Sequence, residues 1–211
     1  LAASLARANV VAGFFLTSDP RITALPERKS AFAVGSQHGD DNPLPYLRHF
    51  KAAVTNLPEI ESAAAGNGHF NLTAERDGII RRVPLLLRVG DAAQPIPSLA
   101  AEAVRIAQGA RTYVVNLAGA SGLESFGQRT GVVSVKIGSF AIPTDAEARV
   151  WLYDTGPVAE RSVSMWRLFE PSFSRELIDG HIVFIGTSAP GLKDQRALLL
   201  NPYAAGVEAH A

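Results

Sequence analysis

Residues 186–191, Gly-Thr-Ser-Ala-Pro-Gly, place two hydroxyls in a stretch of small residues, and Lys193, Asp194 and Arg196 follow at once. Small side chains leave backbone N–H groups open, so such a loop could cradle an anion, with Thr187 and Ser188 adding hydrogen bonds. Two stronger readings fail on spacing. The G-x-x-x-x-G-K-[ST] pattern of a phosphate-binding loop is not met, although Lys193 is near. A G-x-S-x-G nucleophile elbow does not fit around Ser188, and no His stands beside it as a base. A tight turn packed on a sheet explains the same residues without a ligand, so turn and ligand contact both stay open. For Lys193, Asp194 and Arg196 the choice lies between ligand recognition and a clamp that pins the loop. Exposed pairs of this kind are worth only about 0–1 kcal/mol.

Arg81 and Arg82 form the second group. On a strand their side chains point to opposite faces, so only one can enter a shared pocket. A guanidinium there could hold a carboxylate or phosphate bidentately. Asp77 could instead cap its own turn ahead of Gly78. Asp145 and Glu208 are scattered carboxylates, and glycoside hydrolysis or metal binding needs carboxylates that converge. Five His residues show no H-x-x-x-H spacing, and the chain has no Cys, which removes disulfides, zinc-thiolate sites and thiol nucleophiles. Asn71-Leu72-Thr73 fits a glycosylation sequon. No catalytic residue, metal or cofactor is expected.

The elements that must position these groups come from a chain of 211 residues, 47% hydrophobic, enough for one substantial core. Twenty basic residues balance twenty acidic ones, so there is no basic excess of the kind that nucleic-acid binding requires. No stretch is apolar over the roughly 20 residues a bilayer crossing needs, and no signal peptide is visible. The chain begins at Leu1 in what reads as the later part of a helix, which predicts a piece of a longer protein.

The opening helix leads into an apolar strand at 9–16, half of a parallel α/β unit. Residues 17–45, rich in Asp, Pro, Ser and Gly, read as a long irregular segment. Helices are expected at 44–55 and 58–65. Strands at 68–72 and 79–89 are expected to join as a hairpin through Asp77-Gly78, with Pro84 marking a bulge or an edge. Ser98 caps a helix over 99–108 that Gly109 stops. Leu99, Ala100, Ala103, Val104, Ile106 and Ala107 should form its core face, with Glu102, Arg105 and Gln108 opposite. Strands at 113–117, 132–137, 140–142 and 149–153 suggest an antiparallel excursion. Helical turns are expected at 164–169 and 173–178. The run at 181–185, wholly apolar after His181, reads as a strand buried on both faces, whose carboxyl end would deliver the 186–196 loop to a ligand crevice.

Several spaced blocks together resemble a known family: 77–85 (Asp-Gly-Ile-Ile-Arg-Arg-Val-Pro-Leu), 97–100 (Pro-Ser-Leu-Ala), 142–145 (Ile-Pro-Thr-Asp), 182–194 (Ile-Val-Phe-Ile-Gly-Thr-Ser-Ala-Pro-Gly-Leu-Lys-Asp), Pro202 and 206–211 (Gly-Val-Glu-Ala-His-Ala). Their order and content resemble the CHASE type-two domain, a sensory extracellular module associated with cyclases and histidine kinases. Over nearly the whole chain the resemblance implies a domain outside the membrane, with a leading membrane helix, later membrane helices and a cytoplasmic output domain. The family's upstream α/β part has no counterpart here. Where relatives show Thr-Pro after the loop Asp, this chain carries Leu198-Leu199, which implies a more apolar wall.

The expected fold is α/β: a predominantly parallel or mixed sheet with helices on its faces and a β-hairpin excursion, residues 1–211 forming a single sensory domain. The expected function is non-enzymatic signal input, in the periplasm or outside the cell, for an inner-membrane receptor with an adenylate cyclase, histidine kinase or Ser/Thr kinase output. Its partners would be a small-molecule or environmental signal, the flanking membrane helices and the output domain. Nucleic acid is excluded and homodimerisation is left open. The competing readings are a periplasmic α/β enzyme or small-molecule binding protein, and a ligandless dimerisation spacer.

Overall fold

The computed structural model describes residues 1–36, 41–91, 94–118, 131–188 and 194–211. Within them the apolar run near the N-terminus becomes strand β1 (Val11–Thr17), preceded by a short helix α1 (Ala2–Leu5). β1 is the centre of a three-stranded mixed sheet. Its parallel neighbour is β5 (Gly66–His69), in register from Val11↔Gly66 to Phe14↔His69, and its antiparallel neighbour is β4 (Ala52–Val54). Helix α2 (Pro58–Ala63) connects β4 to β5 and packs on α1. Pro58 opens it at a position where no N–H is needed.

Alternation decides which face of this sheet is core. Phe14 and Leu16 turn inward with Ala53, Leu87, Val89 and Ile96. The other face is made small by Gly13, Gly66 and Gly68, and helix α3 (Leu99–Ala107) lies there against β5 and β1. A Cβ on Gly68 would come within 2.7 Å of the Leu99 Cα, so only glycine lets the helix start this close to the strand. Ser98 caps α3, its Oγ accepting from the Ala101 N–H at 3.2 Å.

The same unit contains a four-stranded sheet in the order β11-β10-β9-β2: β2 (Ala31–Gly35) runs parallel to β9 (Thr112–Leu117), and β10 (Val132–Ile137) and β11 (Phe140–Pro143) follow antiparallel. Tyr113, Val115 and Leu117 alternate into a core with Val132, Val135 and Ile137. A third sheet sets β7 (Leu86–Val89) between β3 (His49–Phe50), parallel, and β8 (Gln94–Pro97), antiparallel. β6 (Arg82–Pro84) pairs with β12 (Arg149–Trp151) as an antiparallel ribbon. The fold is thus mixed α/β, with parallel pairs in small sheets and helices packed on strands.

The chain divides into two compact units. The first, Leu1–Leu72 with Arg82–Trp151, holds all of the elements above. The second, Thr73–Arg81 with Leu152–Ala211, contains among the described residues four 3-10 turns (Ala159–Arg161, Met165–Phe169, Arg175–Leu177, Gly206–Ala209) and one two-residue pairing of β13 (Gln195–Arg196) with β14 (Ala204–Ala205). Its buried apolar residues are Ile80, Leu198, Ala204, Ala205 and Ala209.

Five local expectations are corrected. The run at 181–185 is not a strand: Ile182, Val183 and Ile185 are exposed. An all-apolar run is buried only where strands flank both its edges, and β13–β14 does not flank this one. Residues 44–55 are a 3-10 turn, Leu44–Tyr46, followed by β3 and β4, because Pro43 and Pro45 limit helix growth and the edges of β7 and β1 are open to pairing. The segment 17–45 contains β2, whose Ala-Phe-Ala-Val-Gly sequence pairs with a distant strand. No hairpin joins 68–72 to 79–89, since β5 pairs with β1 while the later stretch breaks at Leu85 into β6 and β7, with Pro84 closing β6. Finally, Glu102 and Arg105 lie on the buried side of α3, not opposite it.

Candidate functional site

In the second unit the clasp around Asp194 begins with backbone. β13 and β14 run antiparallel, and just beyond them the Gly206 N–H donates to the Asp194 carbonyl at 2.7 Å. The Asp194 carboxylate folds over Gly206, where a Cβ would collide with it, so glycine at 206 is what admits the side chain. Arg196 Nη2 then reaches Asp194 Oδ1 at 3.1 Å, and its Nη1 donates to the Gln195 carbonyl. Glu208 closes the other end, its Oε1 accepting from the Ala205 N–H at 3.1 Å. The connecting loop is tied twice: the Ile80 N–H donates to the Ala197 carbonyl, and the Leu200 N–H to Asp154 Oδ2 at 2.7 Å.

Thr187 and Ser188 are exposed and make no hydrogen bond among the described residues, while Gly186 lies against Val207. Lys193 lies outside the described residues. Among the described residues no base is hydrogen-bonded to Ser188. His181, exposed, is engaged through Nδ1 with the Asp179 carbonyl at 3.0 Å. No three His, Asp or Glu side chains among the described residues gather as metal ligands would.

The two adjacent arginines part company. Arg81, in the second unit, binds Asp77 at 2.8 Å and Glu75 at 3.1 Å. Asp77 also accepts from the Ile79 N–H, closing the turn at Gly78, whose φ of +84° suits glycine. The Arg81 hydrogen bond, then the Ile79 N–H, hold the Asp77 carboxyl below its ordinary range, and Asp77 in turn raises the Arg81 guanidinium. Arg82, in the first unit, binds Asp145 at 3.2 Å and lies over the Trp151 ring at 5.1 Å. Asp145 joins Arg149 as well, at 2.9 Å, and accepts from the Glu147 and Arg149 N–H groups. Of the residues singled out in the sequence, the structure thus joins Asp194 to Arg196 and gives Arg81 and Arg82 separate carboxylate partners.

One polar centre escaped the sequence reading. Glu102 and Tyr113 are both 0% exposed, and Arg105 is buried with them. Arg105 Nη2 meets Glu102 Oε1 at 2.6 Å and its Nε meets Oε2 at 2.8 Å, a bidentate pair. The Tyr113 hydroxyl donates to Oε2 at 2.7 Å, and Arg105 Nη1 to the Ala110 carbonyl at 2.7 Å. Burial, reinforced by the Glu102 charge, pushes the Tyr113 hydroxyl well above its ordinary range, and Glu102 raises Arg105. The i,i+3 spacing of Glu102 and Arg105 was the available signal.

The sequon asparagine is spoken for: Asn71 is buried, and its amide takes the Leu16 N–H at 2.7 Å and donates to the Leu16 carbonyl at 2.8 Å, continuing the ladder of β1 with a side chain. A cavity of about 200 Å³, bordered by Asp41, Tyr46, Leu117 and Gly131, lies in the first unit. That is below the roughly 300–1,000 Å³ of ordinary ligand pockets.

A family model for the CHASE2 domain matches residues 1–211, the whole chain. No curated protein and no solved structure matches it.

Proposed function

Because this chain belongs to the CHASE2 domain family, sensory domains associated with cyclases and histidine kinases, we propose that it is the signal-input part of a bacterial transmembrane receptor. In this reading the domain lies outside the cytoplasmic membrane, receives a small-molecule or environmental stimulus, and passes a change of state to a cyclase, histidine kinase or Ser/Thr kinase output. The observation that carries it is the family match across the whole chain. No helix of the described residues is long and apolar enough to cross a membrane, so in this reading the crossing belongs to flanking segments. A stimulus acts only by binding two states with different affinity.

The loop 186–196 acts here as a clamp, with direct ligand contact the lesser role. Asp194 spends its carbonyl on Gly206 and its carboxylate on Arg196, which favours holding the C-terminal segment over reading a ligand. Thr187, Ser188 and Lys193 remain the positions from which a ligand could be contacted. The test is Asp194→Asn in the intact receptor. Basal or stimulated output should change while the protein still unfolds cooperatively, because the amide keeps the shape but loses the charge opposite Arg196. Unchanged output at normal expression removes the loop from the mechanism. Loss of more than about tenfold in affinity for an identified stimulus, about 1.4 kcal/mol, converts the clamp into a contact.

A further inference from the structure

The connection from β1 to β2 carries no helix or strand over residues 18–30, and side chains from α2 and β5 fasten it at Glu27. Glu61, on α2, takes the Glu27 N–H on Oε2 at 3.1 Å, and Asn67, on β5, donates from Nδ2 to the Glu27 carbonyl at 3.0 Å. A carbonyl only accepts, so the amide nitrogen must face it and Asn67 Oδ1 is turned away. Both head groups are thus pinned to the backbone of one residue, each with an oxygen to spare. Glu61 is 6% exposed and Asn67 3%, and neither Glu61 Oε1 nor Asn67 Oδ1 has a hydrogen-bond partner among the described residues. The Ser30 hydroxyl, farther along the same connection, is buried and unpartnered as well. No side-chain cation answers the Glu61 charge, since Lys29 Nζ is taken by Glu27 Oε1 at 2.8 Å and by the Ser62 carbonyl at 3.2 Å.

We propose that Glu61 Oε1 and Asn67 Oδ1 hold a hard metal cation between them, and that this ion ties the connection from β1 to β2 onto α2 and β5. Two acceptors held side by side repel each other and need one positive or donating group between them. Water could donate to both oxygens, but it would leave the charge of a buried carboxylate unanswered, and buried charges are normally paired or bound to a metal. Carboxylate and amide oxygens select ions such as Mg²⁺, Ca²⁺, Na⁺ and K⁺ over the softer metals that thiolates favour. One carboxylate makes a weak site, of the kind Mg²⁺ completes with water. The ion's effect falls on the connection, because Glu61 and Asn67 grip Glu27 with the other atoms of the same head groups. This site lies within the first unit and goes beyond the sensory reading.

The whole chain is stripped of metal with a chelator and melted with Mg²⁺, Ca²⁺, Na⁺ or K⁺, ionic strength being matched with tetramethylammonium chloride. At least one ion should raise the midpoint saturably, by about 3 °C at tenfold excess over its Kd. Glu61→Gln should lower the affinity for that ion by at least about tenfold. Without metal the same variant should melt no lower than the unaltered chain, since its new amide can donate to Asn67 Oδ1. Glu59→Gln, at an exposed position of the same helix, should leave the response intact. A second readout needs no variant. The ion should slow trypsin cleavage after Arg28, exposed in the connection, by at least about fivefold relative to cleavage after Arg161, exposed in the second unit. The proposal is overturned if none of these ions moves the midpoint, which would leave the two oxygens to water. It is equally overturned if Glu61→Gln keeps the response, if Glu59→Gln loses it, or if cleavage after Arg28 ignores the ion. Because no stimulus or output enters these readouts, the cation site and the sensory reading fail separately.

Discussion

The two units solve the same problem with different means. The first buries long side chains against one another: Phe14 and Leu16 under one sheet, Tyr113, Val115 and Ile137 under another, and a bidentate Glu102–Arg105 pair sealed by a tyrosine. The second buries mainly alanines with Ile80, Leu198 and His210, and leaves Trp166, Phe169 and Ile185 in solvent. Apolar burial contributes about 25 cal/mol per Å², and an alanine has little area to bury. The second unit therefore leans on local ties such as Asp77–Arg81, Asp194–Arg196 and Leu200–Asp154, each of modest worth. The second unit, with the smaller core among the described residues, also holds the loop proposed to carry the signal.

The contrast breaks first at Glu102. Its replacement by Ala strands the Arg105 charge in a dry site and leaves the Tyr113 hydroxyl without its acceptor. The expected loss is about 3–5 kcal/mol, read from urea unfolding followed by amide exchange in β9 and β10. If the loss is under about 1 kcal/mol, the network is not dry and the first unit is less distinct than described.

Next in size is an apolar pair of truncations. Leu86, fully buried, should cost about 2–5 kcal/mol as Leu86→Ala. Ile185→Ala in the second unit should fall within about 0.5 kcal/mol, because the side chain has little contact to lose. Equal effects, measured as urea midpoints under monomeric conditions, would erase the comparison.

Tyr113 sharpens it from the alkaline side. Its folded pKa is raised above the ordinary 10.0 chiefly by burial, then by Glu102. A raised pKa means that the contribution is complete below pH 10 and is lost as pH climbs from there, since the unfolded tyrosine sheds a proton that the folded one keeps. Stability should fall by up to about 1.4 kcal/mol per pH unit above 10. Tyr113→Phe should abolish that part of the slope while itself costing about 1–3 kcal/mol through the acceptor left behind. An unchanged slope in the variant would show that Tyr113 does not set it.

Helix α3 shows how much of this was legible in the sequence. Its cap at Ser98 and its stop at Gly109 are local chemistry and could be read directly. So could β9, β10 and β11, whose alternation records a face rather than a partner. The burial of Glu102 and Arg105 could not, because a helical projection sends charges outward and their third member, Tyr113, comes from a strand that the fold brings across. β2 was hidden for the same reason: its composition is unremarked until β9 lies beside it. The run at 181–185 failed in the opposite direction, a strong local signal with no neighbour to complete it. At the candidate site, Arg81 precedes β6 and Arg82 opens it, and their carboxylates, Asp77 and Asp145, lie on a turn and on a distant loop. Sequence spacing fixed a motif's position and left its partners to topology.

The smallest expected effect is at Arg81, and it tests the second unit's reliance on local ties. The Asp77 carboxyl is held below its ordinary 3.8, first by Arg81 and then by the Ile79 N–H. A lowered pKa contributes above the unfolded value and is lost as pH falls through the folded one, so the tie should be intact from neutral pH to about 4 and fade below it. Its side chains are open to water, so the charge term is screened by salt within a Debye length of about 10 Å at 0.1 M. Arg81→Ala should leave the unfolding midpoint of the first unit unmoved and raise amide exchange at Ile79 and Ile80, where the turn meets Ala197. Adding 1 M salt to the unaltered chain should reproduce part of that loss. If Ile80 stays as protected in the variant as before, the turn is held by Gly78 and its backbone bonds alone, and the second unit is firmer than its small core implies.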